Sequence, residues 1–337
     1  MSFSITLMLS LFWLLSAFHA AWGVTCRRVI EVHDSIQKAV ERAYPGDCVV
    51  IYPGEYYESI HTVRSGLPGK PIVIIGIPRV VIHGSPSAGG RVIYIRHSHI
   101  WLERLEVDGH FSPSEKGARA YKDKLIYIKG SLQSVVRDIR VVDCVLKNAL
   151  GECLRVKRAE DVEIKGNSIS YCGLRDFRFG RGRKNGEAVY IGTAPEQTAF
   201  PDRTKRVSVV ENVLFPHGSE CVDVKEGSED VVVKDNVCAY TLDPSSGGVS
   251  VRGSHAVIEG NLFYSLAGAG VRLGGDGKKN GIMNSVLNNL FLDRVRLSIK
   301  VMREPQGKIC GNWAVSPKLY VSPGLTSRFE EAFKPCR

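Results

Sequence analysis

An asparagine followed by two mostly apolar residues recurs through the second half of the chain, at Asn167, Asn212, Asn236, Asn261, Asn289 and Asn312. The intervals are 45, 24, 25, 28 and 23 residues, so one unit is about two dozen residues long and the first interval holds an insertion. Asp143, 24 residues before Asn167, extends the series. Within each unit a short alternating segment comes first (153–157, 188–192, 221–225, 248–252, 270–274) and a second follows (161–165, 207–211, 230–234, 256–260). These segments are β-branched, of period two and bounded by Gly and Asn, which makes them strands. A unit this small cannot bury its own inward face, whereas stacked units bury one continuous aliphatic column. The expected fold is all-β: a single right-handed parallel β-helix with coils of about 24 residues. Asn at a constant position suits a left-handed bend and a side-chain bond to the Asn of the next coil, so none of these asparagines is assigned to chemistry.

A solenoid needs its first coil capped. Residues 35–43 (SIQKAVERA) read as a short helix closed by Pro45-Gly46, so a cap over residues 24–47 is expected. Ahead of it, residues 5–17 are an uncharged apolar run with a small-residue exit at Ala20, Ala21 and Gly23. This is the pattern of a signal peptide, and about 13 apolar residues fall short of the roughly 20 of a spanning helix. The expectation is a leader over 1–23 and a secreted, membrane-free domain over 24–337, with an insertion near 173–206.

Nine cysteines suit an oxidising compartment, with Cys26 and Cys48 at one end and Cys310 and Cys336 at the other as natural staples. Cys144, Cys153, Cys172, Cys221 and Cys238 read equally as small core residues, and an odd count leaves a thiol over. The net charge of +10 favours an anionic partner, which outside the cell means an acidic polysaccharide rather than nucleic acid. A one-chain solenoid with a basic face is expected to be a monomer.

Stacking puts equivalent residues of successive coils about 4.8 Å apart. With Leu154, Val189, Val222, Val249 and Val271 pointing inward, one outward column is Arg155, Tyr190, Asp223, Ser250 and Arg272, and the next is Lys157, Gly192, Lys225, Arg252 and Gly274. Lys225 and Arg252 are thus like charges on adjacent coils between glycines, an arrangement that asks for an anion. Glu152, Glu187 and Glu220 precede the first strands at one common offset. Stacked carboxylates persist where a hard cation such as Ca2+ bridges them, where Lys or Arg pairs them, or where one stays protonated. Cations beside carboxylates are what β-elimination of a uronic acid needs: charge to neutralise the substrate carboxylate and a base to take the adjacent proton. Arg252 is expected to depress Lys225 by like-charge repulsion and so make it that base. Arg155, Lys157, Tyr190, Arg272 and His255 are the expected substrate contacts.

Two stretches carry a resemblance. Residues 36–58 (IQKAVERAYPGDCVVIYPGEYYE) and 65–76 (SGLPGKPIVIIG) resemble the opening of pectate-lyase-like β-helix proteins. SECVDVKEG (219–227) and GGVSVRGSHAVIEGN (247–261) look like the stretches that carry the lysine base and partner arginine of the chondroitinase B and alginate lyase family. The resemblance implies a parallel β-helix, Lys225 as base, Arg252 serving the leaving oxygen or carboxylate, and Glu220 as a calcium ligand. This chain departs from that pattern in placing Gly253 and Ser254 between the arginine and His255, and in offering one obvious calcium carboxylate in that strand. NGEAVYIGTA (185–194) also looks like secreted β-helix proteins of uncharacterised activity.

The insertion carries Arg175, Arg178, Arg181, Arg183 and Lys184 with Phe177 and Phe179 among them, residue types that hold an acidic sugar chain by charge and ring stacking or simply stay solvated. Asp276, in the loop 274–281, is a calcium ligand or a turn residue. Polygalacturonase-like hydrolysis needs neighbouring carboxylic acids, and its usual adjacent aspartates and Gly-His-Gly are absent. A C5-epimerase shares the proton abstraction, with Asp243-Pro244 as its faint mark. Two readings remain: a secreted lyase of acidic glycans, and a non-catalytic glycan-binding solenoid with the same cationic face.

Overall fold

A computed structural model of the chain describes residues 25–336 apart from 88–89, 183–184 and 276–279. The expected leader, Arg183, Lys184 and Asp276 lie outside the described residues. Short strands wind into a right-handed parallel β-helix in which every strand pairs in parallel with the equivalent strand of the next coil. Among the described residues one sheet has 11 strands and the other 19, because the long strand Leu262–Leu273 joins two stacks into one. A coil thus contributes to three faces. The sequence located two of the three; the missed strands, such as Ser168–Ser170 and Val213–Phe215, follow directly on the repeated Asn and are too short to show a period.

The inward column forms in register as expected: Leu154, Val189, Val222, Val249, Val271 and Ile299 lie opposite one another and are wholly buried. Full burial of each such side chain contributes about 1.5–3 kcal/mol. Beside this core runs a polar ladder. The amides of Asn167, Asn212, Asn236, Asn261 and Asn289 each donate from Nδ2 to Oδ1 of the next Asn at 2.9–3.0 Å, ending on Asn312. The same Oδ1 atoms accept the backbone N–H of the preceding Asn, so these buried amides are satisfied. The left-handed bend belongs to the residue before each Asn: Gly166, Glu211, Asp235, Gly260, Asn288 and Gly311 have positive φ. Asp143 holds that bend position in its own coil, and Cys144 stands where the next Asn would, with no side-chain oxygen to extend the ladder but donating its N–H to Asn167 Oδ1. The repeat series therefore runs one residue later than Asp143 suggested.

The first coil is covered by the helix Ile36–Arg42, whose Ile36, Ala39 and Val40 join the core. Ser35 caps it by accepting from Lys38 N–H, and Glu58 accepts from Ile36 and Gln37 N–H at 2.6 and 3.1 Å, so its first turn is satisfied from the next coil. Cys26–Cys48 and Cys310–Cys336 are bonded at the two ends. Cys153–Cys172 and Cys221–Cys238 are bonded as well, which replaces the small-core-residue reading for these four, while Cys144 is a buried free thiol. Burial pushes that thiol up to about 12, so it is inert at neutral pH. No helix among the described residues is long and apolar enough to cross a membrane.

The insertion is two excursions on either side of the strand Val189–Ile191. The first contains the short helix Leu174–Phe177 and is tied down by Arg175 to Asp123 at 2.6 Å. Phe179 packs on Tyr121 at 5.4 Å between ring centroids. The second contains the turn Pro195–Gln197 and returns through Asp202, a buried acid that accepts from Thr193, Thr204 and the Arg158 backbone N–H.

Candidate functional site

The first strands of the coils form one outward face, and register alone assembles its centre. Tyr94, Tyr127, Arg155, Tyr190, Asp223, Ser250, Arg272 and Lys300 succeed one another, one per coil. Lys225 and Arg252 follow the ends of the strands Val222–Val224 and Gly247–Val251, as the sequence placed them. The flanking glycines have a local reason. Gly192 has φ +88°, and a Cβ there would run into Ser228 Oγ and approach Lys225 Cβ to 3.3 Å; a Cβ on Gly274 would meet Arg303.

The anion that the two cations require is built in. Lys225 Nζ lies 2.5 Å from Asp223 Oδ2, and Arg252 Nη1 lies 3.3 Å from the same oxygen. Arg252 also reaches to 3.8 Å from Glu220. Burial pushes the Asp223 carboxyl up, but Lys225 and then Arg252 outweigh it and hold the group below its usual range. The reciprocal effect corrects the expectation for Lys225. Burial and Arg252 push its ammonium down, yet Asp223 outweighs both and holds it above the ordinary lysine value, so Lys225 is charged in the free protein.

Glu187 and Glu220, both buried, complete an acidic triad with Asp223, one oxygen of each lying within 4.8 Å of the others. Burial, then Glu220, Glu152 and Asp223, push Glu187 well above its usual value; burial and Asp223 push Glu220 up. Asp223 Oδ1 is buried with no hydrogen-bond partner among the described residues, which leaves a lone pair turned into the protein. Three carboxylates with an unmet acceptor suit a hard, oxygen-seeking cation, so the triad could hold a metal. Glu152, the third member of the expected carboxylate column, stands apart from it. Its oxygens pair with Arg155 at 3.0 Å and Lys124 at 2.8 Å, the arginine or lysine neutralisation that a stacked acid needs in place of metal. Asp223 was missed as a member because its alternating position reads as an ordinary outward polar residue.

Tyr190 links the two halves. Its ring lies between the Arg155 guanidinium, 4.5 Å from the centroid, and the Lys225 ammonium at 4.8 Å. Burial pushes its hydroxyl well up, so it remains a donor. Arg272 adds positive charge from the coil beyond, with Nε 3.2 Å from Met302 Sδ. Lys157 lies in register with Lys129, one coil nearer the amino end than Gly192. His255 is not brought into this group: it is exposed in the left-handed bend that leads to the strand Val257–Glu259, with its backbone N–H bonded to Ile282. Beside Lys225, a cleft of about 310 Å³ is lined by Thr193, Pro195, Thr198, Glu226 and Asn280.

No known protein family and no curated protein matches the sequence. Solved structures do. An alginate lyase from Paenibacillus sp. str. FPU-7 superposes with a TM-score of 0.70 at 18% identity, over 88% of this chain and 98% of that one. The pectate lyase Pel9A gives 0.63 at 12%, over 89% and 78%. The DFA-IIIase of Arthrobacter chlorophenolicus A6 gives 0.52 at 13%, over 91% and 87%. At these identities the likeness is one of fold, a pectate-lyase-like parallel β-helix.

Proposed function

We propose that this chain is a secreted polysaccharide lyase that cleaves an acidic, uronic-acid-containing glycan by β-elimination on the face that carries Lys225. The observation that carries the reading is the convergence of Lys225, Arg252 and Tyr190 on a buried carboxylate triad at the middle of an outward face. Elimination needs the substrate carboxylate neutralised so that the adjacent ring proton becomes acidic, and Arg252 and Arg272 supply fixed positive charge for that purpose. The proton then passes to Lys225 Nζ, and the pair of electrons left behind expels the glycosidic oxygen as the double bond forms. The Tyr190 hydroxyl gives its proton to that departing oxygen and Arg252 steadies its charge, with Arg155 and Lys157 as outer contacts further along the face; His255, on the bend to the other sheet, takes no part.

Lys225 can accept a proton only after losing its own, and Asp223 opposes that loss. A calcium ion held by Glu187, Glu220 and Asp223 would supply the charge that neutralises Asp223 and so weakens its hold on the ammonium. The donor set fits: hard carboxylate oxygens, one of them on Asp223 without a partner. Secretion and a monomeric state belong to the same reading, supported by four disulfides and by the +10 charge.

The charged state of Lys225 favours a second reading, a non-catalytic solenoid that holds acidic glycans. Ultraviolet absorbance of the unsaturated product separates the two, with alginate, polygalacturonate and chondroitin sulfate as substrates, with and without calcium. A rise with one polymer that vanishes in Lys225→Ala establishes the lyase. Salt-sensitive retention on these polymers with no rise establishes the binder.

A further inference from the structure

On the other sheet of this solenoid, opposite charges face each other from coil to coil at three places: Arg140 with Glu163, Arg137 with Glu160, Lys234 with Glu259. Upstream of Lys225 on its own face the rule is broken. Lys129 lies in direct register with Lys157, and Arg96 follows the strand that pairs with that of Lys129. The side chains of Arg91, Arg96, Lys129 and Lys157 make no hydrogen bond or close ion pair among the described residues; Asp202 acts on Lys157 only at longer range and is outweighed by burial, Arg158 and Arg155. Like charges opposite each other weaken a sheet, so this patch costs stability while empty. Burial first, then the surrounding cations Arg91, Arg158, Arg96 and Arg155, push Lys129 down; burial, Arg158 and Arg155 do the same to Lys157.

The patch is also ordered without an acid. Tyr94 and Tyr127 stack at 5.5 Å, and the Arg91 guanidinium sits 4.7 and 4.8 Å from their centroids. Arg96 is 5.7 Å from the Tyr94 ring. Rings that hold a guanidinium through its face leave its N–H donors free for a ligand, and less side-chain freedom is lost on binding.

We propose that Arg91, Arg96, Lys129 and Lys157, seated around Tyr94 and Tyr127, form a second anion subsite. It takes the carboxylate or sulfate groups of an acidic sugar chain about three coils, or roughly 14 Å, from Lys225. The proposal rests on the reading that the Lys225 face takes an acidic glycan, and it makes that glycan long: one chain spans both sites along the solenoid axis.

The test is binding of short and long oligosaccharides, of a polyuronate and of a sulfated glycosaminoglycan, to the full chain and to Arg96→Ala/Lys129→Ala. The double variant should weaken the long chain by roughly tenfold at low salt, reduce the salt dependence of its binding, and weaken the disaccharide far less. Arg96→Lys/Lys129→Arg should bind the long chain as the parent does, which separates charge from folding. A loss with the polyuronate assigns carboxylate; a loss with the sulfated chain alone assigns sulfate. Equal losses for short and long chains, or none, overturn the subsite. The measurement needs no turnover, so absence of lyase product leaves it intact, and repeating it in Lys225→Ala keeps the two questions separate.

Discussion

Lys225 Nζ and Asp223 Oδ2 are 2.5 Å apart on one strand end, with the two side chains 9% and 1% exposed. Arg252 leans on the same carboxylate from the next coil, so one buried acid serves two cations.

Removing that acid should therefore be costly. Asp223→Asn leaves Lys225 and Arg252 buried without their shared anion, and breaking such a pair from one side typically costs about 3–5 kcal/mol. Urea unfolding should show the loss, and the Lys225 ammonium, followed by NMR, should titrate at lower pH than in the parent. A variant as stable as the parent would show that the pair is not what holds this strand end.

Glu187 makes stability depend on pH in an unusual direction. Its folded-state value lies above the ordinary 4.5, chiefly through burial. Between the unfolded and folded values the native chain binds the extra proton, so its contribution to stability is full below the unfolded value and is lost as pH rises through the folded one. The calcium-free protein should lose thermal stability across that window, and Glu187→Gln should flatten the profile. Calcium affinity should rise over the same interval, because the ion must displace the proton. A profile insensitive to Glu187→Gln would contradict this.

The polar ladder predicts a large effect far from the site. Asn236 accepts two bonds from Asn212 and donates to Val209, Lys234 and Asn261. Asn236→Ala strips buried partners from both neighbours and should cost roughly 3 kcal/mol or more in denaturant unfolding, since each orphaned buried group costs about 1–3 kcal/mol.

Cys221 lies between Glu220 and Val222, so its bond to Cys238 pins the coil that carries two members of the triad. Replacing both cysteines by Ala should lower stability by about 3 kcal/mol, the chain-entropy value for a loop near this size. Calcium binding should weaken more than on removal of Cys310–Cys336, which lies at the far end. Calorimetry of both variants distinguishes a local effect from a global one.

The architecture was legible because the repeat is periodic and the inward positions are aliphatic: Leu154, Val189, Val222, Val249 and Val271 align in space as they align in sequence. The cation pair was legible for the same reason. The protonation of Lys225 was not. Its strongest neighbour is two residues away on its own strand, and whether an alternating Asp turns its carboxylate toward the lysine or toward water is decided by side-chain packing that no spacing reveals. The same limit hid the substitution of Asp223 for Glu152 in the triad, since Lys124, the ion that draws Glu152 away, comes from an earlier coil whose strand falls outside the clear repeat.

Asn167 bonds to Asn212 at 2.9 Å although 45 residues separate them, the same distance that joins Asn212 to Asn236 across 24. Length added at a turn therefore never reaches the frame, and Tyr190, between two excursions, still sits squarely opposite Arg155 and Asp223. Loops here behave as marginal text beside a fixed ruled page: the stretch 195–201 can be rewritten or lengthened, so long as Thr193, Asp202 and Thr204 keep their buried bonds at its root. A single deletion inside a coil, by contrast, would turn every side chain of that line to the wrong side.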